Sequence, residues 1–428
     1  MKEYLRLLRN LDFILLWLSQ VVSQFGDKLN QMALIAWAYS VMPGSSFQMA
    51  KLIFFTIVPV FIVGPFAATA VDRMDYRKTM YICDLLRALA IFFIPFLILP
   101  KQLVLPVYLM VFISFSLTRL FIPAKMSIVP NIVDERDLLP ANSLLSLTGV
   151  VAAMFGFGLG GIMVQRLGVS AGFYVDAGTF LFSSVAIYMI GVRYRPRNIS
   201  FAQEAVGIWQ VMWSGIKYVF NGEILKDMKE GITYLFEEEK IKHLIGLSFL
   251  LWTLLGGVYA TGIVFIQESL GSATADLGML VVFLGVGVLL GALLLGKYAK
   301  AVDRFLLLYV SLIAVCFFLF IFAVMMRFEL RHRFGWASFL IFLIGLSGSP
   351  LMMISQTIVH ETADEQMFGR IFGVMEIIIH LAFVVAMFIS SLLAESFSEG
   401  NILILWSGIG IGIGFDRLIR WIRLNGKI

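Results

Sequence analysis

Apolar residues in this chain come in solid runs, without the alternation of half-buried strands or the one-sided rhythm of surface helices. Twelve runs stand out, at roughly 11–41, 50–71, 79–99, 104–124, 141–164, 171–192, 243–267, 277–296, 305–326, 336–358, 370–393 and 401–422. A helix needs about 20 apolar residues to cross hydrocarbon, so each run predicts one membrane-spanning helix. The first is too long for one straight span and predicts interfacial turns at both ends. Solid runs also exclude an outer-membrane barrel, whose strands alternate apolar and polar. The one long polar stretch, 193–242, separates six runs from six. Within it Trp209, Trp213, Ile216, Tyr218 and Val219 recur near helical spacing beside Lys217, which predicts an amphipathic helix on the inner membrane face. The expected organisation is an N-terminal bundle over 1–192, a cytoplasmic linker over 193–242 and a C-terminal bundle over 243–428.

The two halves repeat. A constant offset of 227 residues separates Gly64 from Gly291, Pro123 from Pro350 and Asn142 from Gly369. Two six-helix halves place a binding site at the midplane between them. In this reading Pro123 ends the fourth span and Pro350 interrupts the tenth.

Composition sharpens the class. Hydrophobic residues make up 60% and charged residues 14%, with a mean hydropathy of +0.91, where soluble domains carry about 25% charge. A soluble globule and a single anchor on a soluble body are both excluded. With the N-terminus in the cytoplasm, inward segments hold 24 Lys and Arg against six on outward ones. Both termini are therefore expected inside, and the net charge of +5 reflects cytoplasmic loops, not nucleic-acid binding. The run from Arg327 to Arg333 opposes this bias and is expected to be a short, locally paired external loop. Cys83 and Cys316 lie in apolar runs and read as buried free thiols. Met1–Asn10 is basic and polar and no small-residue site follows the first run, so no cleavable signal peptide is expected.

Between the second and third runs the chain reads Gly64-Pro-Phe-Ala-Ala-Thr-Ala-Val-Asp72-Arg73-Met-Asp75-Tyr-Arg77-Lys78. This resembles the signature loop of the major facilitator superfamily, Gly-x-x-x-Asp-Arg/Lys-x-Gly-Arg/Lys-Arg/Lys, with Ala68 and Asp75 where that pattern has glycine. Pro123-Ala-Lys, Val129-Pro-Asn-Ile-Val133, Ala141-Asn-Ser, Gly156-Phe-Gly-Leu-Gly-Gly161 and Phe368-Gly-Arg370 are similar to the drug:proton antiporter branch, which holds macrolide-efflux and enterobactin-export proteins. The resemblance implies an all-α integral membrane fold of twelve transmembrane helices in two six-helix bundles. It also implies alternating-access export of a small molecule against protons. Under it, Asp72 with Arg73 and Arg77 would meet the start of the eleventh span at Gly369 and Arg370. A carboxylate facing a helix N-terminus is stabilised by about 0.3–1 kcal/mol, so the contact could latch the outward-facing state. Topology-setting surface charge is the alternative.

Charge inside hydrocarbon is expensive, about 2.5–3.5 kcal/mol for a central ionised side chain, so each such residue asks for a role. The first run carries Gln20, Gln24, Asp27, Asn30 and Gln31 on one helical face. That stripe is expected to line a substrate cavity, with Asp27 as the proton-coupling or cation-binding acid; a structural pair of Asp27 with Lys28 or another helix is the alternative. Glu376 and His380 stack at i, i+4 and could relay a proton, or His380 is simply packed and hydrogen-bonded. Asp84, Arg87 and Arg119 are expected to form an ion-paired network near the inner side. Arg119 also falls where related exporters often carry a functional arginine. Asp176 reads as an acid near the outer end of the sixth span, functional or an interfacial cap. Gly156–Gly161 predicts close helix packing.

No phosphate loop, His-Glu-x-x-His or Gly-x-Ser-x-Gly is found, so neither ATP hydrolysis nor enzyme chemistry is expected, and no catalytic residue, cofactor or resident metal. The expected function is proton-coupled antiport of an amphipathic or hydrophobic small molecule by a monomer in the inner membrane. Siderophore export, lysophospholipid flipping and divalent-metal export are alternatives within the class. A non-transporting membrane receptor or scaffold is the alternative outside it.

Overall fold

Residues 2–98, 104–191, 201–221, 239–298, 303–328, 331–362 and 368–425 are described by a computed structural model, and every regular element among them is helical. The α-helices are α1 (Lys2–Leu7), α2 (Leu11–Val41), α3 (Ser46–Ile62), α4 (Gly64–Val71), α5 (Tyr76–Ile98), α6 (Val104–Ile132), α7 (Leu138–Leu167), α8 (Val169–Tyr188), α9 (Phe201–Phe220), α10 (Glu239–Leu270), α11 (Ala275–Tyr298), α12 (Arg304–Met325), α13 (Arg333–Thr362), α14 (Phe368–Phe397) and α15 (Glu399–Asn425). Ten are long and apolar enough to cross a membrane, α5 to α8 and α10 to α15. The other two spans are α3, with 17 residues, and α2, whose polar stripe sets it apart. Twelve spans match the twelve apolar runs.

Three boundaries differ from the sequence reading, each for a local reason. The first run forms no turns inside its bounds: α2 is one continuous helix of 31 residues, about 46 Å at 1.5 Å per residue. Asn10 caps its start, accepting from the Phe13 amide at 3.3 Å and donating to the Ile132 carbonyl at 2.6 Å. The second run is split at Val63, because Pro65 in the first turn of α4 has no N–H to continue the ladder of α3. Pro123 does not end the fourth span. α6 runs on through Pro123 and Pro130 to Ile132, as membrane helices allow when neighbours satisfy the freed carbonyls. Pro350 likewise sits inside α13. The repeat's glycines diverge: Gly64 begins α4 with open space around it, whereas Gly291 lies inside α11 against Ser349 and the Leu346 carbonyl.

The chain forms two compact units, one of residues 1–37 and 52–226, the other of 38–51 and 227–428. The first is built on a core that includes Phe13, Leu16, Met80, Leu117, Leu120 and Ile128. Here α2 lies against the glycine-rich stretch of α7, where a Cβ at Gly160 would stand 3.0 Å from the Leu29 Cα. The expected close packing is thus realised. Gly168 alone links α7 to α8, at φ +88°, a conformation L side chains rarely adopt. The linker helix α9 belongs to this unit. Ile208 and Val211 join its core, Gly207 rides on Met74, and Trp209 and Trp213 are 64% and 54% exposed on the outer side. The side chains of Tyr218 and Val219 lie outside the described residues.

The second unit centres on Phe265, Leu280, Phe322, Leu340 and Leu403. Among the described residues, Arg333 and Arg327 of its arginine-rich turn pair with carbonyls and an amide. Arg333 donates to the Phe328 carbonyl at 3.0 Å and the Ser269 carbonyl at 3.3 Å, near the C-terminal ends of α12 and α10, and Arg327 donates to Asn401. Helix C-terminal carbonyls attract cations. α11 and α13 cross in backbone contact, with Gly287 over the Phe342 carbonyl and Gly345 over the Leu284 carbonyl. A Cβ at either position has nowhere to go but into main chain. Gly345→Leu is expected to destabilise the second unit by about 1–3 kcal/mol, read as a lower melting temperature of the purified protein in detergent. Gly408→Ala, at a glycine with open space around it, is expected to leave that temperature unchanged.

Candidate functional site

Charge collects in the middle of the first unit. Arg87, halfway along α5, is 4% exposed, and Asp84, one turn earlier, is fully buried. The Arg87 Nη2 donates to the Asp27 Oδ1 of α2 at 2.8 Å, and its Nη1 reaches the Asp84 Oδ1 at 3.4 Å. Asp84 is also held by the Ser183 hydroxyl of α8, which donates to its Oδ2 at 2.6 Å. The guanidinium carbon lies 3.7 Å from the centre of the Phe180 ring, a cation–π contact that matters more where water is scarce. Asp176, one turn before Phe180 on α8, is fully buried. The side chains of Asp176 and Thr179 face Gly26 of α2, where any Cβ would collide with them.

The cluster therefore joins three carboxylic acids and one guanidinium from three helices. Its assembly follows from spacing. Asp84 and Arg87 are i, i+3 on α5, and Asp176, Phe180 and Ser183 are i, i+4, i+7 on α8, so each helix presents its set along one face. Gly26 lets α2 approach closely enough for Asp27, its neighbour, to reach Arg87. The structure corrects two expected placements. Asp84 and Arg87 are not near the inner end of α5 but toward its middle, and Arg87 joins Asp27 to Asp84. Asp176 is not an interfacial cap: it lies inside α8 and is wholly enclosed. The signal in the sequence is that Asp176 is the only Asp, Glu, Lys or Arg on α8 and shares a face with Ser183.

The rest of the α2 stripe lies around this centre. Gln24 donates to Gln20 at 3.3 Å, Asn30 is buried and Gln31 half-buried. Among the described residues, the Gln20 amide nitrogen, the Asn30 amide oxygen, the Arg87 Nε and the Asp176 Oδ2 are buried without a hydrogen-bond partner, and such atoms mark a polar interior suited to water or a polar ligand. Asp27 keeps 28% of its side chain accessible. Its ion pair is with Arg87 of another helix and not with adjacent Lys28, whose ammonium lies 5.3 Å from the Phe157 ring centre of α7.

Other expected residues belong to other helices. Arg119 is half-buried on α6. Glu376 and His380 sit on α14 in the second unit, with Glu376 exposed. The His380 Nδ1 bonds the Glu376 main-chain carbonyl at 2.7 Å, and its ring lies 5.2 Å from that of Trp252. A carbonyl only accepts, so Nδ1 carries hydrogen. Asp72 is exposed at the end of α4 and Arg73 beside it is exposed, while Arg77 donates to the Ile190 carbonyl. Asp75, in the place of a family glycine, caps α5: its Oδ1 accepts from the Lys78 amide at 2.9 Å. Gly369 and Arg370 fall in the first turn of α14, and their side chains lie outside the described residues. No group of three or more metal-ligating side chains occurs among the described residues.

Ten helices long and apolar enough to cross a membrane, with α2 and α3 beside them and a charged, partly unsatisfied centre inside the first unit, define a multi-pass membrane protein of the carrier type. The chain belongs to the Major Facilitator Superfamily, whose family model matches residues 16–387. It is a transporter and not an enzyme. Among curated relatives, the MFS-type transporter YfiS of Bacillus subtilis is 27% identical over 187 residues, 44% of this chain and 42% of YfiS. Macrolide efflux protein A of Streptococcus pyogenes is 21% identical over 397 residues, 90% of each chain. Among solved structures, a bacterial homologue of the iron transporter ferroportin, in an inward-facing state, aligns with a TM-score of 0.73 at 14% identity over 96% of this chain and 98% of that one. That likeness concerns the fold.

Removing one partner from a buried ion pair costs about 3–5 kcal/mol. Arg87→Leu is therefore expected to lower the melting temperature of the purified protein sharply, and adding Asp84→Asn to Arg87→Leu to recover much of the loss.

Proposed function

We propose that this transporter is a proton-coupled exporter of amphipathic or hydrophobic small molecules. It works by alternating access in the cytoplasmic membrane, as a monomer with both termini inside. The observation that supports this best is Asp27, the one acid of the buried cluster with accessible surface, set in a stripe of Gln20, Gln24, Asn30 and Gln31. An ionisable residue at this depth is a functional-site hypothesis by default. Asp27 would exchange a proton or cationic cargo while the stripe supplies hydrogen bonds. Arg119 would add a charge on α6, and Glu376 with His380 would serve as a second proton-handling pair. The similarity to a macrolide efflux protein supports outward transport and a bulky apolar cargo. One charge moving across 100 mV supplies about 2.3 kcal/mol, enough for roughly 50-fold accumulation.

Asp72, Arg73 and Arg77 would form the latch with Gly369 and Arg370 in the outward-facing state. Asp75 capping α5 keeps the signature loop in shape despite the missing glycine.

The test is drug-stimulated proton flux in proteoliposomes, with a radiolabelled macrolide and ethidium as probes and a pH dye inside. Wild type is expected to couple the two flows, and Asp27→Asn to cut coupled flux at least about tenfold, equivalent to about 1.4 kcal/mol. Undiminished coupling in the Asn variant would remove Asp27 from the mechanism. Asp72→Asn is expected to raise alkylation of cysteines introduced near the cytoplasmic gate; unchanged labelling speaks against the latch.

A further inference from the structure

The cluster gathers three acids around one guanidinium. Asp27 and Asp84 both bond Arg87, and Asp84 has Ser183 as well. Among the described residues Asp176 has no bonded cation and its Oδ2 has no hydrogen-bond partner, and it is fully buried. Its other oxygen lies 3.1 Å from the Thr179 hydroxyl, but that hydroxyl also lies 2.7 Å from the Asp176 main-chain carbonyl. A hydroxyl has one hydrogen to give. The carbonyl, at the shorter distance, takes it. The contact between Asp176 Oδ1 and Thr179 Oγ1 then lacks a hydrogen unless the carboxyl supplies one.

Charge facing Asp176 from its neighbours points the same way. From α2 comes Asp27, while Lys28 is turned to Phe157; from α5 come Asp84 and Arg87; α7 offers only Arg166, in its last turn. The guanidinium is already shared by two carboxylates, and Lys125 of α6 is close enough to act on Asp84.

We propose that Asp176 is the resident proton carrier of the cluster: a neutral carboxylic acid whose O–H donates to Thr179 while Arg87 is held by Asp27 and Asp84. A cationic cargo arriving at the accessible Asp27 frees Arg87 to serve Asp176, which then gives up its proton to a solvent water. No bond other than O–H breaks, and the proton leaves as the positive charge of Arg87 replaces it. This deepens the antiport reading and rests on it for its role in transport. The neutral Asp176 itself can be measured without any cargo.

The experiment is infrared difference spectroscopy on the purified full-length protein at neutral pH. A carboxylic-acid C=O band is expected in wild type and lost in Asp176→Asn. It is expected to be retained in Asp84→Asn and weakened in Asp27→Asn, where Arg87 is released. Should Asp176→Asn not fold, Thr179→Ala replaces it: the band is expected to shift when the hydroxyl acceptor is removed. Absence of the band in wild type, its loss in Asp84→Asn instead, or an unmoved band in Thr179→Ala would each overturn the assignment. So would displacement of the band by added sodium at fixed pH, which would make the site one for a metal cation. Proton flux in liposomes keeps the two ideas apart. Wild type that transports a probe without proton flux sinks the antiport reading while the band stands. Coupled flux with no such band sinks only the Asp176 assignment.

Discussion

The sharing of one guanidinium among several acids governs the first half of this molecule. An isolated charge in the middle of a membrane helix costs several kcal/mol, so Arg87 is tolerable only because Asp27 and Asp84 converge on it and the Phe180 face covers it. Those partners come from α2, α5 and α8, so the same contacts that offset the cost also tie three helices together at one depth. Small residues make this possible. Gly26 admits Asp176 and Thr179, and Gly156 and Gly160 admit α2 against α7. Packing and polarity are one arrangement, since filling a glycine would pull the carboxylates away from their cation.

The two halves solve the burial problem differently. In the first, the middle is polar and partly unsatisfied. In the second, Trp252 and Tyr259 flank the Phe383 ring, with His380 beside Trp252, and α11 and α13 meet backbone to backbone.

Fold class and span count were legible in the sequence because the signal is length: repeated solid apolar runs of about 20 residues leave neither a soluble nor a barrel solution. The placement of individual breaks was less so. Proline has opposite meanings in membrane helices. Pro65 opens α4 after a break, whereas Pro123 and Pro130 sit inside α6 without ending it, and only the packing around each decides. Asp27 was legible because a polar stripe in an apolar run is conspicuous. Asp176 stood out as a lone acid, but its enclosure was not legible; that comes from Arg87 and Gly26, far away in the chain. Arg87 was read with Asp84 and Arg119 as one ion-paired network; its link to Asp84 lies within α5, and its link to Asp27 depends on how α2 crosses α5.

The seating of α9 carries a consequence for any spectroscopic study. Because Ile208 and Gly207 fasten this helix to the core and to Met74, the indoles of Trp209 and Trp213 are attached to the first bundle and not to a free tether. Their emission would register the environment of that bundle's surface as it turns, and quenchers confined to lipid would sense the two rings as fixtures of the domain.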